Sequence, residues 1–174
     1  MHLIRHGQAS FGADDYDCLS ELGVRQSRLL GEWMQRCGET PTRIVIGPML
    51  RHRQTADASL SALVAGAQPP VETLPGFAEF DHLDVLGRFR AELADARALR
   101  EFLETSEDPR VAFQSVFRGA LQRWLDAQED DYVESWSAFK RRCIAALTRL
   151  TDNASARQSV WVFTSGGPIA VIVQ

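Results

Sequence analysis

Short apolar runs alternate in this chain with longer stretches whose apolar residues recur every three or four positions. The clearest runs lie at 2–4, 43–47 and 159–164, and each leads toward a stretch of helical period. Strands that alternate with helices are typical of a parallel sheet covered by helices on both faces. The sequence therefore predicts a three-layer α/β/α fold with a mostly parallel sheet, in a single domain over residues 1–174.

The first helix and a later helical region complete this expected organisation. Ser20 has the position of an N-cap, and Gly38 followed by Pro41 is expected to end the helix. From 86 to 150 the helical period continues almost without interruption, so a helical insert is expected at roughly 80–135. The residues of the first helix that are expected to form its apolar stripe are Leu22, Leu29, Leu30, Trp33 and Cys37.

Composition and charge exclude several classes of partner. The net charge is −4, with no basic field that could hold a nucleic-acid backbone, so we expect no nucleic-acid partner. No apolar run reaches the roughly 18 residues of a membrane span, and the first residues lack a signal-peptide pattern, which favours a cytoplasmic protein without membrane contact. Cys18, Cys37 and Cys143 are too far apart for a zinc ribbon or a disulfide framework, and we expect no metal and no cofactor.

The first strand ends in Arg5-His6-Gly7, a combination that suits an anion site. Arginine presents a fork of donors that matches phosphate oxygens, and glycine lets backbone N–H groups approach an anion closely. Neutral imidazole is a competent nucleophile near pH 7. The alternative is a surface Arg-His pair in a turn, and the tripeptide alone leaves both interpretations open.

Three more segments follow this tripeptide in a fixed order. They read LSELGVRQ at 19–26, GPMLRHRQTA at 47–56 and ESWSAFKRR at 134–142. Together with LIRHGQ at 3–8 they resemble the histidine phosphatase superfamily, the phosphoglycerate mutase-like proteins, over nearly the whole chain. The resemblance implies a phosphoglycerate mutase-like fold.

The resemblance also implies roles for individual residues. His6 matches the nucleophile that attacks phosphorus and becomes phosphohistidine, and Arg5 and Arg51 match the arginines that hold the phosphoryl oxygens. Two arginines in one pocket are understandable, because phosphoryl transfer depends mainly on positioning and on stabilising spread negative charge. Glu79 falls where many members place the acid that protonates the leaving oxygen, and its alternative interpretation is an ordinary loop carboxylate.

The last expected catalytic element departs from the family. Members have a strand followed by Ser-His-Gly-Gly, whose histidine contacts the phosphate, whereas this chain reads VFTSGGPI at 162–169. Ser165 therefore stands where the second histidine belongs, and serine can donate a hydrogen bond but cannot carry positive charge. Gly166 and the following helix N-terminus can still bind an anion through backbone N–H groups, so phosphate binding is expected to survive better than turnover.

Several other polar residues are candidates for the pocket. Gln8 and Ser10 follow the nucleophile and could line the phosphate site. His82 could compensate for the lost histidine, or it could be a surface histidine beside Asp81. His52 is expected to be a pocket-rim or helix-surface residue without a catalytic role.

The second departure from the family is length. Members usually continue with a further strand and helix, which this chain, ending at Gln174 inside a predicted helix, lacks. Without that strand an edge of the sheet would be exposed, which favours self-association, so a homodimer is one expectation.

These observations favour a phosphomonoester hydrolase that acts through a phosphohistidine on His6, with a small phosphorylated molecule or a phosphoprotein as substrate. Ser165 motivates a second hypothesis, a family member that binds a phosphorylated ligand without turning it over. A phosphohistidine-protein phosphatase is a third hypothesis, because the chain is short. A phosphoglycerate mutase-type phosphotransferase is weaker, because nothing in the sequence indicates a pocket that retains and reorients an intermediate.

Overall fold

The computed structural model describes residues 1–10, 17–63, 69–127, 131–152, 155 and 158–174. Within these residues the chain forms the strands His2–Arg5 (β1), Arg43–Ile46 (β2), Val71–Thr73 (β3) and Val160–Thr164 (β4). The α-helices of the same residues are Glu21–Arg36 (α1), Leu50–Leu60 (α2), His82–Phe89 (α3), Ala96–Glu104 (α4), Pro109–Asp126 (α5), Trp136–Thr151 (α6) and Gly166–Val173 (α7).

The four strands form one parallel sheet in the order β1-β4-β2-β3. This confirms the predicted α/β fold. The last strand in sequence lies between the first two, so Arg5 of β1 pairs with Thr164 of β4, and Ile46 of β2 pairs with Phe163. The carboxyl ends of β1, β4 and β2 therefore lie side by side, at the edge of the sheet where ligands of open α/β folds usually bind.

Helices cover both faces of the sheet. Every residue of β4 is buried, and successive side chains point to opposite faces. Trp161 and Phe163 belong to one core cluster together with residues of α1 and α2. Val160 and Val162 belong to a second cluster together with residues of α6. This arrangement explains why β4 reads as a continuous apolar run rather than an alternating one.

The first helix begins as predicted, but its buried face differs from the prediction. The hydroxyl of Ser20 accepts the Gly23 N–H at 3.1 Å, and Gly38 just beyond the helix has a φ of 72°. The predicted apolar stripe is wrong for Leu29 and Trp33, which are 54% and 53% exposed, whereas Leu30 of the same stripe packs against the core. The residues of α1 that are buried instead are Gly23, Ser27, Gly31 and Met34.

Close packing explains which face of α1 is buried. A Cβ atom on Gly31 would overlap the carbonyl oxygen of Ser59 in α2, and a Cβ atom on Gly23 would overlap the carbonyl oxygen of Gln8. Small side chains therefore allow α1 to approach α2 and the end of β1 more closely than leucines would permit. Packing distance, rather than hydrophobicity alone, decides the orientation of the helix.

We expect Gly31→Ala to lower the free energy of unfolding by about 2 kcal/mol, because the added methyl group overpacks the contact with Ser59. Alanine has the better helix propensity by about 1 kcal/mol, so a loss would come from the contact and not from the helix itself. Leu29→Ala on the exposed face serves as the control and is expected to change stability by less than about 0.5 kcal/mol. Urea denaturation of both variants measures the difference, and a larger loss for Leu29→Ala would contradict the burial pattern.

The chain divides into two compact units. One comprises 1–79 and 142–174 and contains the sheet, and the other comprises 80–141. In the second unit the ring of Trp124 lies 4.7 Å from that of Phe80 and 5.5 Å from that of Phe139, measured between centroids. The helical insert predicted at roughly 80–135 falls within the range of this second unit.

Two features are absent from the described residues. None of their helices is long and apolar enough to cross a membrane. Nor do three or more His, Cys, Asp or Glu side chains gather there in a way that could hold a metal ion.

Candidate active site

The sheet order brings the expected catalytic segments together in the first unit. His6 follows β1, Ser165 follows β4, and the His6 N–H donates to the Thr164 carbonyl at 2.9 Å. After β2 the chain turns at Gly47 and enters α2, whose first residues include Arg51. Side chains from three strand ends can therefore meet at one edge of the sheet.

One hydrogen bond determines the tautomer of His6. The His6 Nδ1 lies 2.7 Å from the Gly7 carbonyl oxygen. A carbonyl oxygen can only accept, so Nδ1 carries the proton and Nε2 keeps its lone pair. The Nε of Arg51 donates to this Nε2 at 3.3 Å. The nitrogen that could attack an electrophile is therefore the one that faces a cationic group.

The surroundings of His6 favour its neutral form. Burial, more than any other cause, lowers the pKa of His6, and the nearby positive charges of Arg51 and Arg5 lower it further. The Gly7 carbonyl and the Asp17 carboxylate act in the opposite direction without reversing the shift. The imidazole is therefore neutral and nucleophilic at neutral pH.

A carboxylate that the sequence did not single out holds Arg51 in place. Arg51 is 4% exposed, and its Nη1 lies 2.7 Å from Oδ1 of Asp17. The other oxygen of Asp17 accepts the backbone N–H of Leu50 at 2.8 Å, at the first residue of α2. Asp17 thus fixes both the start of the helix and the guanidinium that the helix carries. Asp17 lies in a turn outside the helices and strands of the described residues, so no periodicity could mark it.

Gly7 allows the loop after β1 to pack closely against α1. A Cβ atom on Gly7 would overlap the Gly23 carbonyl oxygen of α1. The Gly7 N–H donates to the hydroxyl of Thr55 at 3.1 Å, and this hydroxyl donates to the Arg51 carbonyl at 2.7 Å. Gln54 supports the same region, because its Oε1 accepts the Leu19 N–H at 2.7 Å. Segment 47–56 therefore holds the loop after β1 in position.

The expectation that His52 lies on the pocket rim or the helix surface is wrong. Its side chain is 0% exposed, and its Nε2 lies 2.7 Å from Oγ of Ser165. The ring centroids of His52 and His6 are 5.8 Å apart. The absence of a side chain at Gly47 makes this possible, because a Cβ atom there would overlap the His52 ring. The first turn of α2 thus brings a second imidazole next to His6.

The remaining predicted phosphate and acid residues lie around the N-terminus of α7. Ser165 is 0% exposed and precedes the helix. The Gly167 N–H donates to Oε2 of Glu79 at 3.0 Å, which anchors this carboxylate at the helix start. Gly166 lies beside the exposed Arg5, since a Cβ atom there would be 3.8 Å from the arginine Nε. Glu79, Gly166 and Arg5 therefore lie at one helix end, and their roles as acid and phosphate ligands stay predictions.

The three further candidates hold different positions. Oε1 of Gln8 accepts the Ser20 hydroxyl at 2.9 Å, and the Ser10 N–H donates to the Cys18 carbonyl at 2.8 Å. Both residues thereby tie the loop after β1 to the start of α1. His82 is the first residue of α3, in the second unit. Pocket roles for these three residues stay predictions.

A cavity of about 150 Å³ opens beside the nucleophilic segment, and its lining includes Arg5, His6, Gly7 and Thr55. Comparison with protein families decides what kind of protein carries this site. A family model, described as the histidine phosphatase superfamily (branch 1), matches residues 1–174. The chain belongs to the histidine phosphatase superfamily. A search of curated protein sequences finds no significant match.

Several solved structures of phosphatases and a mutase have the same fold as this chain. The alpha-ribazole phosphatase from Shigella flexneri matches with 17% identity and a TM-score of 0.60, over 98% of this chain and 76% of that chain. The phosphoglycerate mutase from Bacillus anthracis str. Sterne matches with 18% identity and a TM-score of 0.61, over 98% and 76%. The protein histidine phosphatase SixA, complexed with tungstate, matches with 18% identity and a TM-score of 0.52, over 98% and 72%. At such identities the likeness concerns the fold, and the activity of this superfamily member has to be argued from its own site.

Proposed function

We propose that this histidine phosphatase superfamily member hydrolyses phosphomonoesters in two steps, through a phosphohistidine on Nε2 of His6. The observation that carries the proposal is the 2.7 Å contact of His6 Nδ1 with the Gly7 carbonyl oxygen. It leaves the Nε2 lone pair directed at the buried guanidinium of Arg51, where the oxygens of a phosphoryl group would bind. The substrate is a small phosphorylated molecule or a phosphoprotein.

In the first step the Nε2 lone pair attacks phosphorus, and the bond from phosphorus to the ester oxygen breaks. The leaving oxygen takes a proton from the carboxyl group of Glu79, which Gly167 anchors at the start of α7. In the second step water attacks the phosphohistidine and gives its proton to Glu79. The products are an alcohol and inorganic phosphate, and His6 and Glu79 return to their starting forms.

The two arginines stabilise the charge of the transferred group. Arg51 is held by Asp17 and lies against the attacking nitrogen, so its donors are already oriented toward the phosphoryl oxygens. Arg5 lies beside Gly166, where α7 begins, and adds a second positive charge. Such preorganised donors act most strongly in a partly buried site.

We expect Asp17→Ala to raise the KM for 4-nitrophenyl phosphate about tenfold, because Arg51 loses the contact that orients it. The same variant is expected to lose about 1 kcal/mol of stability, because the start of α2 loses its acceptor. Asp95→Ala is the matched control, since Asp95 accepts the Ala98 N–H at the start of α4 in the second unit. It is expected to lose similar stability with an unchanged KM. An unchanged KM in Asp17→Ala would contradict the positioning of Arg51.

Trapping the phosphoenzyme tests the proposed function. Wild-type protein is mixed with 32P-labelled 4-nitrophenyl phosphate, quenched, and digested to locate the label. We expect an acid-labile, alkali-stable phosphoryl group on His6. Hydrolysis without any label on His6, an acid-stable label on a serine, or no hydrolysis at all would contradict the proposal.

A second function is favoured by one feature of the sequence, the serine at position 165, where the resemblance to the family implies a histidine that contacts phosphate. In this alternative the protein binds a phosphorylated ligand without turning it over. Binding of inorganic phosphate would then depend on Arg5 and Arg51, while no phosphohistidine would form on His6. Calorimetric titration of wild type, Arg5→Ala and Arg51→Ala, combined with the trapping experiment, separates the two functions.

A further inference from the structure

The exposed side of α1 carries large apolar side chains that the core leaves uncovered. Leu22, Leu29 and Trp33 are 50%, 54% and 53% exposed. They follow one another at intervals of seven and four positions, which places all three on one face of the helix. We call these three residues the outer stripe. Exposed apolar residues that are scattered singly need no explanation, whereas a contiguous row of them marks an interaction surface.

The outer stripe is separate from the contacts that hold α1 in the fold. The buried residues of the helix lie on its other side, where a Cβ atom on Gly31 would overlap the Ser59 carbonyl oxygen of α2. Leu30, one position from Leu29, already packs against the core. A partner can therefore cover the outer stripe without disturbing the packing of α1 in its own chain.

Charged side chains run beside the outer stripe with a definite order of sign. They are exposed, and in chain order they are Glu21, Arg25, Glu32 and Arg36. None of the four forms an ion pair within the described part of the chain, although Glu32 and Arg36 are one helical turn apart. The remaining charge of this helix, Arg28, lies farther around it from the stripe. The four charges beside the stripe are therefore available to a partner.

We propose that the outer stripe is a self-association surface, on which two copies of this chain pack their α1 helices antiparallel about a two-fold axis. In this arrangement Glu32 of each copy faces Arg25 of the other, and Glu21 faces Arg36. A parallel pair would set each charge against the identical charge of the second copy. The order of the charges therefore selects the antiparallel pair and disfavours the parallel one.

The register that pairs the charges also brings the apolar side chains together. Its two-fold axis passes between positions 28 and 29, so the Leu29 side chains of the two copies meet at the centre. Because a helix rises about 1.5 Å per residue, Trp33 of one copy lies only about 3 Å along the helix axis from Leu22 of the other. Tryptophan is among the residues that contribute most to binding at interfaces. The apolar pattern and the charge pattern thus agree on one register.

The expected dimer is weak and reversible. A standard interface buries about 800 Å² on each partner, and three half-exposed apolar side chains supply only part of that area. We therefore expect a dissociation constant in the micromolar range. The sequence predicted a homodimer through an exposed edge of the sheet, whereas this interface is a helix face. The proposal does not rest on the proposed function, because no residue of the outer stripe belongs to the catalytic machinery.

Charge reversal tests the register, with the dissociation constant of the full chain measured by sedimentation equilibrium. Glu32→Arg and Arg25→Glu are each expected to weaken the dimer at least about tenfold, because two attractive contacts become repulsive. The double variant R25E/E32R exchanges the two charges and is expected to return the dissociation constant to within about threefold of wild type. Glu104→Arg is the matched control, since Glu104 is an exposed glutamate of α4, and it is expected to leave the dimer unchanged.

Truncation and cross-linking test the apolar contacts. Trp33→Ala is expected to weaken the dimer at least about tenfold, whereas Val111→Ala, at an exposed valine of α5, is expected to leave it unchanged. For cross-linking, the exposed Cys37 is first replaced by serine. In that background Leu29→Cys is expected to form an intermolecular disulfide under mild oxidation, because the two side chains meet at the axis. Leu22→Cys is expected to form none, because the antiparallel register keeps its two copies far apart.

Several outcomes would overturn the proposal. A chain that stays monomeric up to near-millimolar concentration has no such interface. A dimer that neither Glu32→Arg nor Trp33→Ala weakens uses another surface, such as the edge of the sheet. A double variant R25E/E32R that folds but dimerises no better than the single variants, or a disulfide through Leu22→Cys instead of Leu29→Cys, contradicts the antiparallel register. None of these measurements depends on phosphomonoester hydrolysis, so they are distinct from a failure of the proposed function.

Discussion

His6→Ala is expected to lower kcat for 4-nitrophenyl phosphate by at least about 10³-fold, the largest effect of any single substitution in this site. The imidazole forms the covalent bond to phosphorus, and no neighbouring group replaces it, because the Arg51 guanidinium is protonated and His52 is buried against Ser165. Affinity for inorganic phosphate is expected to fall less than about tenfold, since the arginines remain and only one hydrogen bond is lost. A large fall in kcat together with a small fall in phosphate affinity distinguishes a nucleophile from a residue that only binds phosphate.

Another histidine of the same strand provides the control for this substitution. His2 also belongs to β1, and its Nε2 lies 3.3 Å from Oε2 of Glu39 at the surface. His2→Ala is expected to leave kcat and phosphate affinity unchanged. Steady-state kinetics and calorimetry on the two variants give the comparison. A His6→Ala protein that keeps more than about a tenth of the wild-type kcat would contradict covalent catalysis at this position.

The second large effect concerns stability in acid. Burial, followed by the charges of Arg51 and His6, lowers the pKa of His52 from 6.5 to about 3 in the folded protein. Between pH 3 and 6.5 the imidazole of His52 is protonated in the unfolded chain but neutral in the folded protein. The free energy of unfolding therefore increases with pH in this window. The stability is fully present above about pH 6.5 and is lost as pH falls toward 3. The loss from His52 alone amounts to about 4 kcal/mol, a large share of the stability of an ordinary domain.

Urea denaturation at a series of pH values measures this effect. Between about pH 6 and 5, before most carboxylates titrate, His52 is expected to contribute a loss of about 1 kcal/mol per pH unit. His6, whose pKa is also lowered, adds to the slope. His52→Gln removes one titrating group and is expected to flatten the slope, while Ser59→Ala, destabilised but with no titrating group removed, keeps the wild-type slope. Equal slopes in wild type and His52→Gln would refute the burial of a neutral imidazole.

Much of the fold could be predicted because it follows from local patterns. The alternation of apolar runs with helical period predicted the parallel sheet, and the N-cap at Ser20 and the end of α1 near Gly38 follow from short-range chemistry. The burial of α1 did not follow in the same way. Hydrophobic pattern favoured Leu29 and Trp33 for the core, whereas the packing distance to α2 selected glycine and serine.

The residues of the candidate site also differ in whether local sequence patterns reveal them. His6 and Arg51 could be proposed as partners because each lies in a short motif that resembles the family, and the structure brings them into contact. Asp17 and His52 could not be identified, because each acquires its role only from a contact with a distant residue. The partner of Asp17 lies 34 positions away, and the partner of His52 lies 113 positions away. Such contacts depend on the order of the strands, which no local pattern contains.

The division into two compact units has a spectroscopic consequence. Of the four tryptophans, Trp33 and Trp161 belong to the unit with the sheet, and Trp124 and Trp136 belong to the helical unit. Intrinsic fluorescence of the wild-type protein is therefore a sum over both units, and a single smooth transition in it does not distinguish joint from successive unfolding. Emission recorded from one pair at a time would show whether the sheet that carries His6 melts together with the helices at 80–141 or independently of them.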